Sequence, residues 1–340
     1  MDTTEAQALC SLAEAGDMGL RGLEAKMWRG RLETALDELQ TAFEWVLEHD
    51  QTSALRMASA MAEFWRTAGR IPEGREWLDR AVAASDADAP ALPRALYENA
   101  LLAFWQGDDG TTRSLLERSL ATARRLVDPT DEAVALCGMA RLALREGDLE
   151  QARALCEQAL GRVAGTNDTR ARSNALHVLG VAAQMRGDLH EAAQFMNRRM
   201  QLARELNLMS SVAAEAGNLS VVERQLGNLE RATQHALEAM QISERRGDEW
   251  MHPYELNSLA AIAAAKQDFV SAATLLGAAA RLMEQMGTAW PPDEKPHFDA
   301  TRSAAEAALE PSAFTRAWSA GEGMSSAEAV SFARAGASTT

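Results

Sequence analysis

Leu136–Leu160 reads LCGMARLALREGDLEQARALCEQAL, two apolar stretches at helical spacing parted by Glu146-Gly147-Asp148. Gly can take the left-handed conformation that ends one helix, and Asp can accept from the free N–H groups that open the next. The stretch is a helix-turn-helix corner. Outward from it, the corner recurs at Gly69, Gly107, Gly187 and Gly227, with Gln267 in its place at a sixth, so successive anchors lie 38, 40, 40, 40 and 40 residues apart. The next residue is Arg70 at the first anchor and Asp108, Asp148, Asp188, Asn228 or Asp268 at the others. A fixed period of this length marks a repeat protein.

Each position of the period keeps its own side-chain size. Five residues after the anchor come Gly74, Thr112, Ala152, Ala192, Ala232 and Ala272, all small. Nine and thirteen residues after it, Leu78, Leu116, Cys156, Met196, Ala236 and Leu276, then Val82, Leu120, Leu160, Met200, Met240 and Ala280, form an apolar stripe. Seven residues before it stand Ala62, Ala100, Ala140, Gly180, Ser220 and Ala260, which predicts a close helix crossing. Ala58, Leu96, Leu136, Leu176, Ala216 and Leu256, four residues further upstream, supply the first helix's own stripe. Neither helix can bury its stripe alone, so neighbouring hairpins must stack.

Composition agrees and excludes several classes. With 340 residues, 47% hydrophobic and only 5% aromatic, the chain can bury a large helical core, and an all-β fold is not expected. Thirty-four Lys+Arg against 49 Asp+Glu give a formal charge of -15, which disfavours direct nucleic-acid binding or an anionic membrane surface. Met1-Asp2-Thr3-Thr4-Glu5 lacks a basic signal-peptide region and no apolar run is long enough to span a bilayer, so a cytoplasmic protein with no membrane contact is expected. Cys10, Cys137 and Cys156 lack CxxC spacing, and His49, His177, His190, His235, His252 and His297 never pair at i and i+4. No metal, no cofactor and no catalytic residue is therefore assigned, and GxSxG, HExxH and GxGxxG motifs are missing.

The pattern of small crossing residue, corner Gly, Ala five residues on and apolar stripe resembles the tetratricopeptide repeat, whose usual period is about 34. The flanks narrow the resemblance: ETALDELQTAFEWVLEHD at 33–50, MAEFWRTAGRIPEGREWLDRAV at 61–82, AATLLGAAARLMEQMG at 272–287 and SAFTRAWSAGEGMSSAEAVSFA at 312–333 are similar to the repeat arm of bacterial signal-transduction ATPases of the LuxR and AfsR type. The resemblance implies an all-α, right-handed superhelical solenoid of about six or seven hairpins with capping helices, and a role in transcriptional or signalling control. A P-loop needs Lys after Gly, and Lys26, Lys266 and Lys295 do not follow Gly. No basic recognition helix is read after the last repeat either.

Along the chain, residues 1–50 read as lead-in helices anchored by Trp28, Phe43 and Trp45, 51–287 as the repeat array, 288–335 as capping helices and 336–340 as a loose tail. Ser85 to Pro93, Asp128 to Asp131 and Gly165 to Asp168 read as links between hairpins, and Trp290-Pro291-Pro292 as the entry to the caps. The eight Trp read as core anchors.

In repeats of the kind resembled, positions thirteen, ten, six and three residues before the corner line the concave face. They carry Arg56, Glu63 and Arg66; Arg94, Tyr97, Leu101 and Phe104; Cys137, Arg141 and Leu144; Asn174, His177 and Gln184; Arg224; and Tyr254 and Asn257. Arg can offer planar donor forks to carboxylates or phosphates and the aromatics can anchor apolar groups, which points to a protein or peptide partner or a small anionic effector. Two plainer readings stand beside it: each Arg pairs with a nearby Glu on a solvated face, and Asn174, His177 and Gln184 form a water site. An enzyme centred on His177, Tyr97 and Arg141 is the alternative from another class, and a homodimer through terminal hairpins is left open.

Overall fold

A computed structural model describes residues 1–166, 168–286, 290 and 294–338, with side chains through 336. Its described residues are helical throughout: α1 (Thr3–Arg21), α2 (Ala25–Thr34), α3 (Leu36–His49), α4 (Gln51–Thr67), α5 (Ile71–Ala84), α6 (Leu92–Trp105), α7 (Asp109–Arg125), α8 (Pro129–Arg145), α9 (Leu149–Arg162), α10 (Thr169–Arg186), α11 (Leu189–Glu205), α12 (Met209–Gln225), α13 (Leu229–Arg246), α14 (His252–Ala265), α15 (Phe269–Gln285), α16 (Lys295–Ala308), α17 (Pro311–Glu322) and α18 (Ser326–Ser338), with a short 3-10 turn at Glu249–Met251. Six antiparallel hairpins, α4–α5 to α14–α15, make this a TPR-like α-solenoid, as expected.

Every anchor is left-handed: φ is +71° at Gly69, +76° at Gly107, +81° at Gly147, +85° at Gly187, +82° at Gly227 and +66° at Gln267. The links between hairpins use the same device, at Val127 (φ 56°), Asn207 (φ 56°) and Gly247 (φ 68°). From Gly107 onward the left-handed residues therefore fall every twenty positions, the equivalent Asn167 lying outside the described residues. A helix of 17 residues, as in α7, α8, α11, α12 and α15, plus a three-residue turn accounts for the period of 40. Longer helices, rather than longer links, stretch the repeat.

Asp108, Asp148 and Asp268 cap the second helices by accepting from the N–H groups of Thr111, Gln151 and Ser271 at 3.1, 2.9 and 3.0 Å. Two corners differ from expectation. Asp188 accepts from Arg186 Nε at 2.9 Å, and Asn228 donates to Glu223 at 2.8 Å, because a charged neighbour competes for each cap side chain. The links are also shorter than the sequence suggests. Pro93 and Pro129 sit in the first turns of α6 and α8, where a missing N–H costs nothing.

Contacts divide the chain into two compact units, Met1–Asn207 and Leu208–Thr340. In the first, α4, α6, α8 and α10 pack in succession as one layer, α5, α7, α9 and α11 each close on the preceding first helix, and α1 lies against α4. Phe43 stacks on Trp77, ring centroids 4.2 Å apart, which ties α3 to the first hairpin. Gly74 has no room for more: a Cβ there would fall 2.7 Å from Trp65. The crossing residues Ala62, Ala100, Ala140 and Gly180 are buried, as are Ser220 and Ala260 in the second unit.

In the second unit α14 packs on α12 and α13, and α16, α17 and α18 close around α14 and α15. Two glycines set the closest approach, since a Cβ on Gly277 would lie 2.3 Å from the Trp318 carbonyl oxygen and one on Gly321 only 1.9 Å from that of Thr274. The backbone of α18 continues to Ser338, past the expected end of the caps at 335. Pro291, Pro292, Gly287 and residues 339–340 lie outside the described residues. Trp105 and Trp250 are exposed rather than core anchors, because each sits at the last turn or beyond the end of a helix. Among the described residues no helix is long and apolar enough to cross a membrane.

Candidate functional site

The first-helix layer of unit Met1–Asn207 carries most of the predicted face, and its charges organise it. Arg170, from the first turn of α10, donates to Glu98 of α6 at 2.7 Å. Asn174, one turn along α10, donates to the Tyr97 hydroxyl at 3.4 Å. Both contacts pass over the intervening helix α8, so α6 and α10 clasp it from either side. Beneath the clasp Cys137 is buried, its thiol directed at the Ala171 carbonyl 3.6 Å away. Burial raises that thiol well above its ordinary pKa, so it stays protonated at neutral pH and serves packing.

The ladder extends to α1. Glu98 is only 4% exposed and also lies 3.8 Å from Arg94, which pairs in turn with Asp17 at 3.0 Å. Asp17 accepts from Arg21 at 2.7 Å and Glu14 from Arg56 at 2.6 Å. Glu14, Asp17, Arg56, Ser59 and Arg94 line one shallow pocket between α1, α4 and α6. The plainer reading therefore describes Arg56 and Arg94: the chain's own acidic side chains hold them. The same is true of Glu63 and Arg66, which pair with each other at 2.6 Å. Phe104 lies under the guanidinium of Arg145, 3.3 Å from its centroid, with Trp105 edge-on beside it.

Arg141 differs. It is half-buried on α8, one turn beyond Cys137, and among the described residues it has neither an ion pair nor a hydrogen bond. Burial lowers its pKa, and the charges of Arg199 and Arg66 act in the same direction, against Tyr97 and Cys137. The Tyr97 ring forms the neighbouring wall, close enough to Gly138 that a Cβ there would meet Cε2 at 3.1 Å. Tyr97 is itself buried, which raises its phenol pKa despite Arg141 and Arg170. Burial opposes the charge of Arg170 as well, yet Glu98 and Tyr97 outweigh it and its pKa rises.

The opposite wall comes from α10 and, through it, from α11. Arg199 of α11 is 7% exposed, donates to the Ser173 hydroxyl at 3.3 Å and reaches His177 Nδ1 at 3.4 Å. Sequence reasoning missed Arg199, although the repeat register marks it. Twelve residues after successive anchors stand Ala81, Ser119, Ala159, Arg199, Ala239 and Ala279, all buried. One position that takes Ala or Ser in five hairpins holds Arg in the fourth. Asp17, Glu98 and Arg170, which carry the ladder, also escaped notice, because their partners lie 72 and 77 residues away in sequence.

Gln184, further along α10, is half-buried. The remaining predicted residues lie in unit Leu208–Thr340. Arg224 is half-buried with no ion pair or hydrogen bond among the described residues, and burial lowers its pKa. Tyr254 meets Trp250 and Trp290 edge-on at 6.5 and 5.7 Å. Asn257 is buried and donates to Glu294 at 3.4 Å, its Oδ1 without a partner among the described residues. Among the described residues no group of three His, Cys, Asp or Glu side chains could hold a metal ion.

Comparison with known proteins places the architecture. A tetratricopeptide-repeat family model matches residues 91–162 and 131–205. Proteins of Mycobacterium tuberculosis and Mycobacterium bovis, named provisionally as HTH-type transcriptional regulators, are 30% identical over 120 residues. That match covers 32% of this chain and 14% of theirs. The fold is similar to that of the APC/C hetero-tetramer Cut9–Hcn1 (TM-score 0.62, 16% identity, 89% of this chain and 48% of that one). It is also similar to a Rap protein complexed with competence and sporulation factor (TM-score 0.59, 13% identity, 98% and 90%). A STAND protein with a tetratricopeptide repeat sensor from Pyrococcus horikoshii gives a TM-score of 0.56 at 10% identity, over 100% of this chain and 50% of that one.

Proposed function

We propose that the chain is a non-catalytic recognition module that binds a protein or peptide partner along its first-helix layer, in bacterial transcriptional or signalling control in the cytoplasm. The observation that carries this reading is Arg141, a half-buried guanidinium without a carboxylate among the described residues, on a layer where Arg56, Arg66, Arg94 and Arg170 are each paired with one. An unpaired, partly desolvated charge is costly, and a ligand bearing a complementary group relieves that cost on binding. The likeness to the arm of signal-transduction regulators supports a sensing role, and the solved relatives supply two precedents in name: a repeat sensor in a STAND protein and a Rap protein complexed with a factor. The concave-face residues Arg56, Glu63, Arg66, Arg94, Tyr97, Phe104, Arg141, Asn174, His177, Gln184, Arg224, Tyr254 and Asn257 divide under this reading. Arg141, Asn174, His177 and Gln184 face the ligand, while Arg56, Glu63, Arg66 and Arg94 brace the framework.

Site-specific photo-crosslinking tests it. A crosslinking side chain at Leu101 or Gln184, both half-buried on the first-helix layer, captures the partner, and one at the exposed Arg118 of α7 does not. Equal capture from both positions, or capture only from Arg118, refutes the proposed surface.

A further inference from the structure

We infer that the pocket between α1, α4 and α6 binds one small zwitterion, a free amino acid, with its ammonium on Glu14 and its carboxylate on Arg56 and Arg94. This goes beyond the partner surface proposed above and does not depend on it. The pocket has a volume of about 210 Å³. A drug-sized site holds roughly 300–1,000 Å³, so the occupant is a single small molecule. The lining carries opposite charges on opposite elements. Glu14 and Asp17, three residues apart on one face of α1, form the acidic wall, and Arg56 of α4 and Arg94 of α6 form the basic one.

The pairing across the pocket leaves polar atoms of both signs open. Arg56 places its Nε 2.8 Å and its Nη2 2.6 Å from the same Glu14 oxygen, Oε1. Arg94 donates through Nη2 to Asp17 Oδ2 at 3.0 Å, while Arg21 holds Oδ1 of Asp17 at 2.7 Å. Glu14 Oε2, Arg56 Nη1 and Arg94 Nη1 have no hydrogen-bond partner among the described residues. The ligand's ammonium takes the open oxygen and its carboxylate the open guanidinium N–H groups, so neither ion pair has to break. The Arg56 and Glu14 side chains are 56% and 38% exposed, and a pair so exposed contributes little to stability, so both can turn toward a ligand at small cost. The four charges of the lining sum to zero. A lone anion or a lone cation answers one wall and leaves the pocket with a net charge, whereas a molecule with both poles answers the two walls together. Ala60, Ala91 and Met18 supply the apolar part of the lining, which suits a short aliphatic side chain.

The test titrates the full chain by calorimetry at neutral pH and fixed ionic strength with L-valine and with γ-aminobutyrate. Isovalerate and isobutylamine, each of which keeps one pole of valine, are titrated beside them. Saturable binding of at least one amino acid, millimolar or tighter, is expected, with both single-pole analogues at least ten-fold weaker. The preference between valine and γ-aminobutyrate reports whether the two poles sit on one carbon or further apart. Glu14→Gln and Arg56→Gln each weaken binding at least ten-fold at an unchanged Tm, and the exposed Arg118→Gln leaves it as in wild type. The analogue series tests the site on the wild-type chain, independently of how any variant folds. No saturable binding of either amino acid, a single-pole analogue binding as well as valine and γ-aminobutyrate, or undiminished binding by folded Glu14→Gln overturns the inference.

Discussion

Glu98→Gln is the most informative perturbation of the framework, because the substitution keeps shape and removes only charge. Glu98 is 4% exposed and its carboxylate holds Arg170 at 2.7 Å across α8. Removing one partner of a buried pair costs about 3–5 kcal/mol, since the other charge stays behind without compensation. The Arg170 side chain is 36% exposed, so water screens the orphaned cation, and Arg94 keeps Asp17 at 3.0 Å, so the cost falls to about 2 kcal/mol. For a unit the size of Met1–Asn207 that lowers Tm by about 4–8 °C. Arg170→Gln and the double variant complete a double-mutant cycle, read by thermal unfolding and by amide exchange in α6 and α10, which reports this unit alone. A coupling energy of about 1–2 kcal/mol is expected. If coupling is under about 0.5 kcal/mol, the two side chains do not clasp α8, and the geometry that isolates Arg141 is wrong.

Three other substitutions probe separate features. Val127 is 84% exposed at φ 56°, where a β-branched residue is strained, so Val127→Gly raises stability by about 0.5–1 kcal/mol in urea unfolding after the extra backbone entropy of Gly is discounted. Gly321→Ala forces α17 away from α15, because the new Cβ meets the Thr274 carbonyl oxygen at 1.9 Å; a loss of about 2–3 kcal/mol and an altered near-ultraviolet signal from Trp318 are expected. Glu255, buried on α14 with Ser243 donating to it at 2.5 Å, has its pKa pushed by burial from 4.5 to about 7. The native state therefore binds that proton more tightly than the unfolded chain, and the stabilisation it contributes is full below pH 4.5 and lost as pH rises through about 7. Glu255→Gln should then exceed wild type in stability by about 2–3 kcal/mol at pH 8 and match it near pH 4.5, as measured by urea unfolding of both proteins at the two values. A difference independent of pH contradicts the burial.

The repeat was open to inspection in the sequence because its causes are local. A residue that must take positive φ, a side chain that must cap a helix and a crossing point that admits nothing larger than Ala, Gly or Ser each leave a mark at a fixed offset, and six offsets in step define the hairpins. The link turn at Val127 left no such mark, since a β-branched residue does not announce a left-handed backbone, and the one at Asn207 left only the weaker mark of an amide that tolerates it. The ligand face was only partly legible. Periodicity could place Arg56, Arg94 and Arg141 on equivalent surfaces, but it gave no means to tell them apart, because an ion pair depends on which distant side chain arrives. Folding brings Glu14 to Arg56, Asp17 to Arg94 and Glu98 to Arg170, over separations of 42 to 77 residues, and among the described residues it brings no carboxylate to Arg141. Local chain stiffness and side-chain size decide the hairpin, and they are written residue by residue. The pairing of charges is settled by three-dimensional neighbourhood, which exists only after the helices have stacked.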